Sequence, residues 1–291
     1  MRIAGLRDLA AHQALKVLPA TWCSQAGALI SHIPRLALPN THLHLKTLFA
    51  ALRPEWRDDP VALEKAARRC WNTTARTYAE MSVAWRMMRK GFASFDNVER
   101  VDTAMSSGRP VILLFIHTGS WEMAGMQLAL RFPHRILAVY EPRKNPAQTR
   151  IAMSVRRKLP ADFVAMSSLV WRHAVRKLGK PGGSLWIAAD EFAFGRVHAP
   201  FFGRPPRYDG NLGKVARLAI RTGAIVVPLY SERHLGPRFK THILEPMTFA
   251  PSDEPEQAVH AMEAVFAPIV IRLIDQWYMA LYYHDYASLP L

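Results

Sequence analysis

Residues 111–122 read Val-Ile-Leu-Leu-Phe-Ile-His-Thr-Gly-Ser-Trp-Glu, and this stretch decides the fold. The uninterrupted apolar run VILLFI at 111–116 describes a strand buried on both faces, as in a parallel sheet covered by helices. Gly119 breaks the strand, Ser120 stands where a helix N-cap belongs, and WEMAGMQLALRF opens a helix at Trp121. Strand, tight turn and helix in that order form the unit of an α/β fold. The same reading places His117 at the carboxyl end of a strand, where open α/β sheets bind their ligands.

Working outward, strand-like runs recur as RILAVY at 135–140, SLWIAA at 184–189, AIVVPLY at 224–230 and FKTHIL at 239–244. Helical patterns cover 121–131, 146–158, 168–178, 211–222 and 255–275, and Gly179, Pro181, Gly182 and Gly183 mark a helix-to-strand turn. This alternation predicts one α/β domain with a mostly parallel central sheet flanked by helices, preceded by a helical N-terminal extension. Asp59, Pro60 and Glu64 start a helix that the pattern carries to about Lys90. Residues 190–210 hold three prolines, three glycines and several aromatics without a period, a long loop of the kind that carries function.

The boundary falls near residue 57. Within 2–18, Ile3, Leu6, Leu9, Ala10, Ala14 and Val17 follow helical spacing, while Asp8, His12 and Lys16 share another face and Arg2 and Arg7 add charge. That pattern suits a helix lying on lipid, and it suits equally a helix packed on its own core. No window is apolar for long enough to predict a spanning helix, and the charged residues interrupt any signal-peptide core.

The 291 residues carry a net charge of +15, which calls for a negatively charged partner: nucleic acid, an anionic membrane or an acidic protein. The charge is regional. Residues 143–221 carry +12, 1–57 carry +5 and 222–291 carry −4. Zinc-finger spacing and RNA-recognition patterns are absent, so no nucleic-acid partner is expected. Also absent are a dinucleotide fingerprint, a phosphate loop, a nucleophile elbow and a His-Glu-x-x-His motif. Cys23 and Cys70 are too few for a disulfide scaffold, and His42 and His44 lack companions for a metal, so neither metal nor cofactor is expected.

Chemistry concentrates in His117-x-x-x-x-Glu122. Across a strand–turn–helix junction the Glu122 carboxylate can fold back onto the imidazole, fixing its tautomer while His117 takes a proton from a hydroxyl. Backbone N–H groups at Gly119 and Ser120, before the helix, are candidates to face an oxyanion.

GRPVILLFIHTGSWEMAG at 108–125 resembles the catalytic segment of the bacterial lipid A late acyltransferases, the lauroyl/myristoyl transferase family, within the His-x4-Asp/Glu acyltransferases. VYEPRKNP at 139–146, IAADEFAFG at 187–195, PFFGRPPRYDGNLGKVARLAIRTGAIVVPLY at 200–230 and Gln276-Trp277 are similar to further family segments in the same order. The resemblance covers about 100–280. It implies a glycerolipid-acyltransferase-like fold, with 1–57 a membrane-associating extension and 58–291 the acyltransferase domain.

The implied reaction moves a fatty acyl chain from acyl carrier protein or acyl-CoA to a hydroxyl of an anionic lipid, at the cytoplasmic face of the inner membrane. In it His117 is the base and Glu122 its orienting partner. Arg143, Asp190, Arg204 and Arg207 become substrate-binding candidates, and Phe201, Phe202 and Gly203 part of the acyl-chain or loop framework. The chain departs from the family at Glu141 where arginine is common, at Phe192 in place of a second carboxylate, and at Tyr278–Tyr283 in place of a basic ending. These departures leave open another glycolipid, aminolipid or secondary-metabolite acceptor, and a non-catalytic membrane-binding relative.

Overall fold

A computed structural model describes residues 3–284. Its strands are β1 (Ala93–Asp96), β2 (Val111–Phe115), β3 (Ile136–Tyr140), β4 (Asp162–Ala165), β5 (Ser184–Ala188), β6 (Phe192–Ala193), β7 (Arg196–Val197), β8 (Ile225–Arg233) and β9 (Phe239–Ile243). Seven of them form one sheet in the order β1-β9-β8-β2-β5-β3-β4, and β6 and β7 make a separate antiparallel hairpin. Every neighbour in the large sheet runs parallel except β8 and β9. The α/β class and mostly parallel sheet expected from the sequence are therefore what the chain forms. The short edge strands β1 and β4 and the hairpin carry too few apolar residues to stand out in the pattern.

The N-terminal helices are α1 (Ile3–Lys16), α2 (Ala20–Ile30), α3 (His32–Ala37), α4 (Pro39–Leu52), α5 (Pro60–Glu80), α6 (Ala84–Arg89) and α7 (Val98–Ser106). The later ones are α8 (Trp121–Arg131), α9 (Pro146–Arg156), α10 (Val170–Leu178), α11 (Asn211–Thr222) and α12 (Pro255–Arg272). They cover both faces of the sheet. β2 shows why: Ile112 and Leu114 pack with α4, α5, α11 and α12 residues, while Val111, Leu113 and Phe115 pack with α7 and α8 residues. A strand with no polar face can be stable only between two helical layers.

Asp59 caps α5 as expected, its carboxylate accepting from the Val61 and Ala62 N–H groups at 3.0 and 2.9 Å. The expected run to Lys90 is broken by a 3-10 turn at Met81–Val83. Here α1 docks, with His12 Nδ1 2.8 Å from the Ser82 hydroxyl.

That contact turns the polar face of α1 inward. His12 is buried, and Asp8 accepts from the side chains of Asn145 and Gln148 in α9, whereas Leu6 and Val17 face outward. The polar face packs inward because α9 and the 3-10 turn supply hydrogen-bond partners; Arg2 lies outside the described residues. Residues up to 57 are packed against α5 and α9, and α2 meets α5 closely. A Cβ at Gly27 would stand 2.8 Å from the Arg76 Cα, so only glycine permits this approach. Cys23 and Cys70 are free and buried, and burial pushes the Cys23 thiol up to about 12.

A buried ion pair joins the helical layer to the sheet. Arg233 at the end of β8 donates from both terminal nitrogens to the Glu80 carboxylate of α5, each at 2.7 Å, with both side chains nearly inaccessible. Removing one partner strands a buried charge. Glu80→Ala is therefore expected to cost about 3–5 kcal/mol in denaturant unfolding, with Glu80→Met/Arg233→Met recovering much of it.

Candidate active site

Strand register builds the site. In the parallel β2–β5 pair Val111 lies opposite Ser184 and Phe115 opposite Ala188. Two residues further along each chain, the same offset sets His117 beside Asp190. The Asp190 carboxylate is 1% exposed and takes three hydrogen bonds. Oδ1 lies 2.7 Å from His117 Nδ1, and Oδ2 accepts from the His117 backbone N–H at 2.9 Å and from the Trp277 indole N–H at 2.8 Å.

The Asp190 carboxylate meets three N–H donors, and as an acceptor it fixes the imidazole proton on Nδ1. Nε2 is left as the acceptor, with no partner among the described residues. Phe115 and Trp121 stand edge-on to the ring at 5.2 and 4.8 Å, and Tyr278 lies at 6.3 Å. The imidazole is thus held by packing as well as by hydrogen bonds.

Glu122 does not fold back onto His117. It lies in the first turn of α8 and pairs with Arg156 of α9, accepting from Nε at 3.1 Å and from a terminal nitrogen. Burial works against its charge, but Arg156 prevails, with help from Arg143 and His117, and holds the carboxyl below its usual range. The partner that orients His117 Nδ1 is Asp190, a residue expected to bind substrate. The sequence carried a signal for it: VILLFIH and SLWIAAD both end an apolar strand on a polar residue, so adjacent parallel strands bring the two ends together.

Gly119 and Ser120 form the turn, but their N–H groups point inward. Gly119 donates to the Gln276 carbonyl and Ser120 to the Ser231 hydroxyl, both at 3.3 Å, so neither is offered to an oxyanion. The Ser120 hydroxyl makes no cap bond. Gly119 has φ of +54°, and a Cβ there would meet the Ser231 carbonyl oxygen at 2.5 Å. The turn therefore requires glycine twice over.

Arg143 follows β3, the strand beyond β5, and enters the site from that side. It donates to the Tyr278 hydroxyl at 3.0 Å, which lies 2.7 Å from the Tyr78 hydroxyl and 2.9 Å from that of Tyr282. Burial opposes the Arg143 charge, but the three tyrosines outweigh it and its pKa is raised. Tyr78, in the helical layer, gave no sequence signal. Tyr278 and Tyr282 stood out only as departures from a basic ending.

Arg204 and Arg207 do not enter this centre. Arg204 donates to the carbonyls of Phe201, Val197 and Pro200 and lies over the Tyr283 ring. Arg207 pairs with Asp209 and Glu191. Both fasten the 190–210 loop from within rather than presenting an open cationic pocket. Phe201 is buried in the core, Phe202 meets Trp277 edge-on at 6.0 Å, and Gly203 turns the loop at φ of +84°. Phe201 and Phe202 donate their N–H groups to Glu263 Oε1 of α12 at 2.5 and 3.1 Å.

The ends of adjacent parallel strands and the turn before α8 thus define an α/β protein with a His117–Asp190 pair walled by aromatic side chains. The chain belongs to the bacterial lipid A biosynthesis acyltransferase family, whose model matches residues 9–282, nearly the whole length. That makes it an acyltransferase of lipid A biosynthesis, with an acyl donor and a lipid acceptor. A comparison with curated proteins gave no match.

Burial pushes Glu263 up to about 6, the Phe202 and Phe201 N–H groups only partly offsetting it. The neutral form is favoured in the folded state, so this group's stabilisation is present below its ordinary value of 4.5 and is lost as pH rises through about 6. Glu263→Gln keeps the acceptor oxygen without the charge. Above pH 7 it is expected to be more stable than wild type by about 2 kcal/mol, the gap closing toward acid in pH-dependent thermal melts.

Proposed function

We propose that the chain transfers a fatty acyl group from an acyl carrier protein or CoA thioester to a hydroxyl of a lipid A precursor. The observation that carries this reading is His117 with Nδ1 tied to buried Asp190 and Nε2 left open, in a chain of this family. Nε2 takes the proton of the acceptor hydroxyl as its oxygen attacks the thioester carbonyl. The tetrahedral intermediate collapses with loss of the thiolate, which recovers the proton from the imidazolium. Asp190 stabilises that imidazolium between the two steps.

Arg143, bonded to Tyr278 beside His117, supplies a positive charge on that side of the site, suited to an oxyanion or an acceptor phosphate. Glu122 keeps Arg156 neutralised and α8 fixed to α9, so that its negative charge stays close to His117 without occupying a ring nitrogen. The +12 charge of residues 143–221 suits an acidic carrier protein and an anionic membrane at the cytoplasmic face of the inner membrane.

Acyl transfer measured on purified variants tests the roles. His117→Ala and Asp190→Asn are each expected to lower kcat by about 10²-fold or more. Glu122→Gln is expected to cost about 1–3 kcal/mol of stability through Arg156. Loss of turnover at unchanged stability in Glu122→Gln, with Asp190→Asn fully active, would return the orienting role to Glu122. Full activity of His117→Ala would sink the mechanism.

One observation favours a second acceptor: Tyr278, Tyr282, Trp121 and Phe192 gather beside His117 where the family ending is basic. Lipid mass spectrometry of a deletion strain separates the two. A lipid A profile lacking one acyl chain supports the lipid A precursor. An intact profile with another glycolipid or aminolipid altered supports the alternative.

A further inference from the structure

Arg143 is a half-buried cation that makes no ion pair among the described residues. Its Nη1 donates to the Tyr278 hydroxyl at 3.0 Å, and its Nε and second terminal nitrogen have no partner among those residues. The other guanidinium at the site, Arg156, is committed to Glu122. The remaining charged groups are carboxylates: Asp190 on His117, and Glu141, which feels the Arg143 charge as Glu122 does. The three phenols around Arg143 do not offset it. A phenol ionises at about 10, and burial pushes Tyr282 higher, so the hydroxyls are uncharged at neutral pH. A partly desolvated cation among neutral groups is stabilised most by an anion.

The hydroxyls can be counted. Each has one proton to donate, and its oxygen accepts at most two bonds. Tyr278 already accepts from Arg143, and it meets Tyr78 at 2.7 Å and Tyr282 at 2.9 Å. It can accept from only one of these phenols and must donate to the other. The bonds therefore run one way, and the last phenol holds an O–H that the trio does not use. Neither outer hydroxyl has a further partner among the described residues, so reversing the chain moves that donor between Tyr78 and Tyr282. Because a guanidinium donates to Tyr278, the Tyr278 O–H is polarised, and so in turn is the phenol that receives it.

This chain stands beside the base. The Tyr278 ring lies 6.3 Å from the His117 ring and 5.4 Å from that of Trp121. Tyr78 is exposed near the end of α5, and Tyr282 is half-buried. The Arg143 backbone N–H donates to the Thr149 hydroxyl of α9 at 2.9 Å, which fixes the segment that carries the guanidinium.

We propose that Arg143 and the Tyr78, Tyr278 and Tyr282 hydroxyls form a recognition subsite for a singly charged oxyanion of the acceptor, a carboxylate or a phosphodiester, with Tyr278 relaying the polarity of the guanidinium to the outer phenol that meets the ligand. One charge matches the one uncommitted guanidinium. The second charge of a phosphate monoester would face Glu122, Glu141 and Asp190 with no cation left to balance it. That the anion belongs to an acyl acceptor rests on the function proposed above; its binding does not.

The test is NMR of the purified full chain labelled with ¹⁵N-arginine, with the Arg143 Nε–H signal assigned by Arg143→Lys. Acetate, dimethyl phosphate and methyl phosphate are titrated at constant ionic strength and about pH 8, where a phosphate monoester carries two charges. The two monoanions are expected to half-saturate the Arg143 shift at about threefold lower concentration than methyl phosphate, or less. Tyr278→Phe should raise that concentration about threefold or more, whereas Tyr78→Phe and Tyr282→Phe singly should change it less than about twofold, because the chain reverses toward the remaining phenol. Lys144→Gln, at an exposed cation next in sequence, should leave it unchanged. Unchanged melting temperatures verify that the variants are folded.

Tighter binding of methyl phosphate than of both monoanions overturns the proposal, as does the lack of any saturable Arg143 shift. Wild-type binding in Tyr278→Phe overturns the relay. Acyl transfer is followed separately, and in Tyr278→Phe a raised KM for the acceptor at preserved kcat is expected. A lowered kcat at unchanged KM would assign the relay to the transition state and overturn its role in acceptor recognition. Absence of transfer in wild type would count against the enzymatic reading and leave the anion-binding result standing.

Discussion

One buried carboxylate organises the site. Asp190 gathers the His117 imidazole, the His117 backbone and the Trp277 indole onto two oxygens, and no ion pair with an arginine or lysine joins it among the described residues. A buried carboxylate of this kind is stable only if every donor stays in place, so the two elements that supply the donors and the strand that leads to Asp190 are fixed relative to one another. β2 and β5 are held by the parallel ladder, and the C-terminal turn is held by its own set of bonds. Those bonds are the Tyr278 N–H to the His117 carbonyl at 2.8 Å and the Arg233 N–H to Gln276 Oε1 at 2.7 Å.

This explains why distant segments meet at one histidine. Gln276 and Trp277 tie the end of the chain to the turn after β2, and Arg233 in turn reaches Glu80 in the helical layer. From the other side, Thr77 of α5 donates to the Gly119 carbonyl at 3.1 Å. The N-terminal helices are therefore part of the scaffold that positions His117. Their buried stripe packs against the elements that hold the site.

The fold was legible because five strands and most of the later helices are written in local periodicity. The position of His117 followed from VILLFI alone. The pairing of His117 was not legible from spacing along one segment. Glu122 is near in sequence, but Arg156, thirty-four positions on, claims it; Asp190, seventy-three positions on, is brought in by strand register. Arg204 and Arg207 misled for a related reason. Basic residues in a loop look available in sequence, and here the loop's own carbonyls and carboxylates use them. The pattern of α1 left its inward face open, and the polar face packs inward because Asp8 and His12 find partners that composition does not reveal.

Two of the departures from the family pattern, Phe192 and the Tyr278–Tyr283 ending, lie together beside His117. Arg143 donates to Tyr278, Tyr278 meets the Tyr282 hydroxyl, and Phe192 lies against Tyr282, so in the proposed reaction these groups would read the acceptor while His117 and Asp190 handle the proton. The most direct check of that division is the tautomer of His117, read by ¹⁵N NMR of histidine-labelled protein and assigned with His117→Gln. A proton on Nδ1 in wild type, disturbed by Asp190→Asn and retained in Glu122→Gln, is the expected result. A proton on Nε2 in wild type, or an Nδ1 proton indifferent to Asp190→Asn, would contradict it.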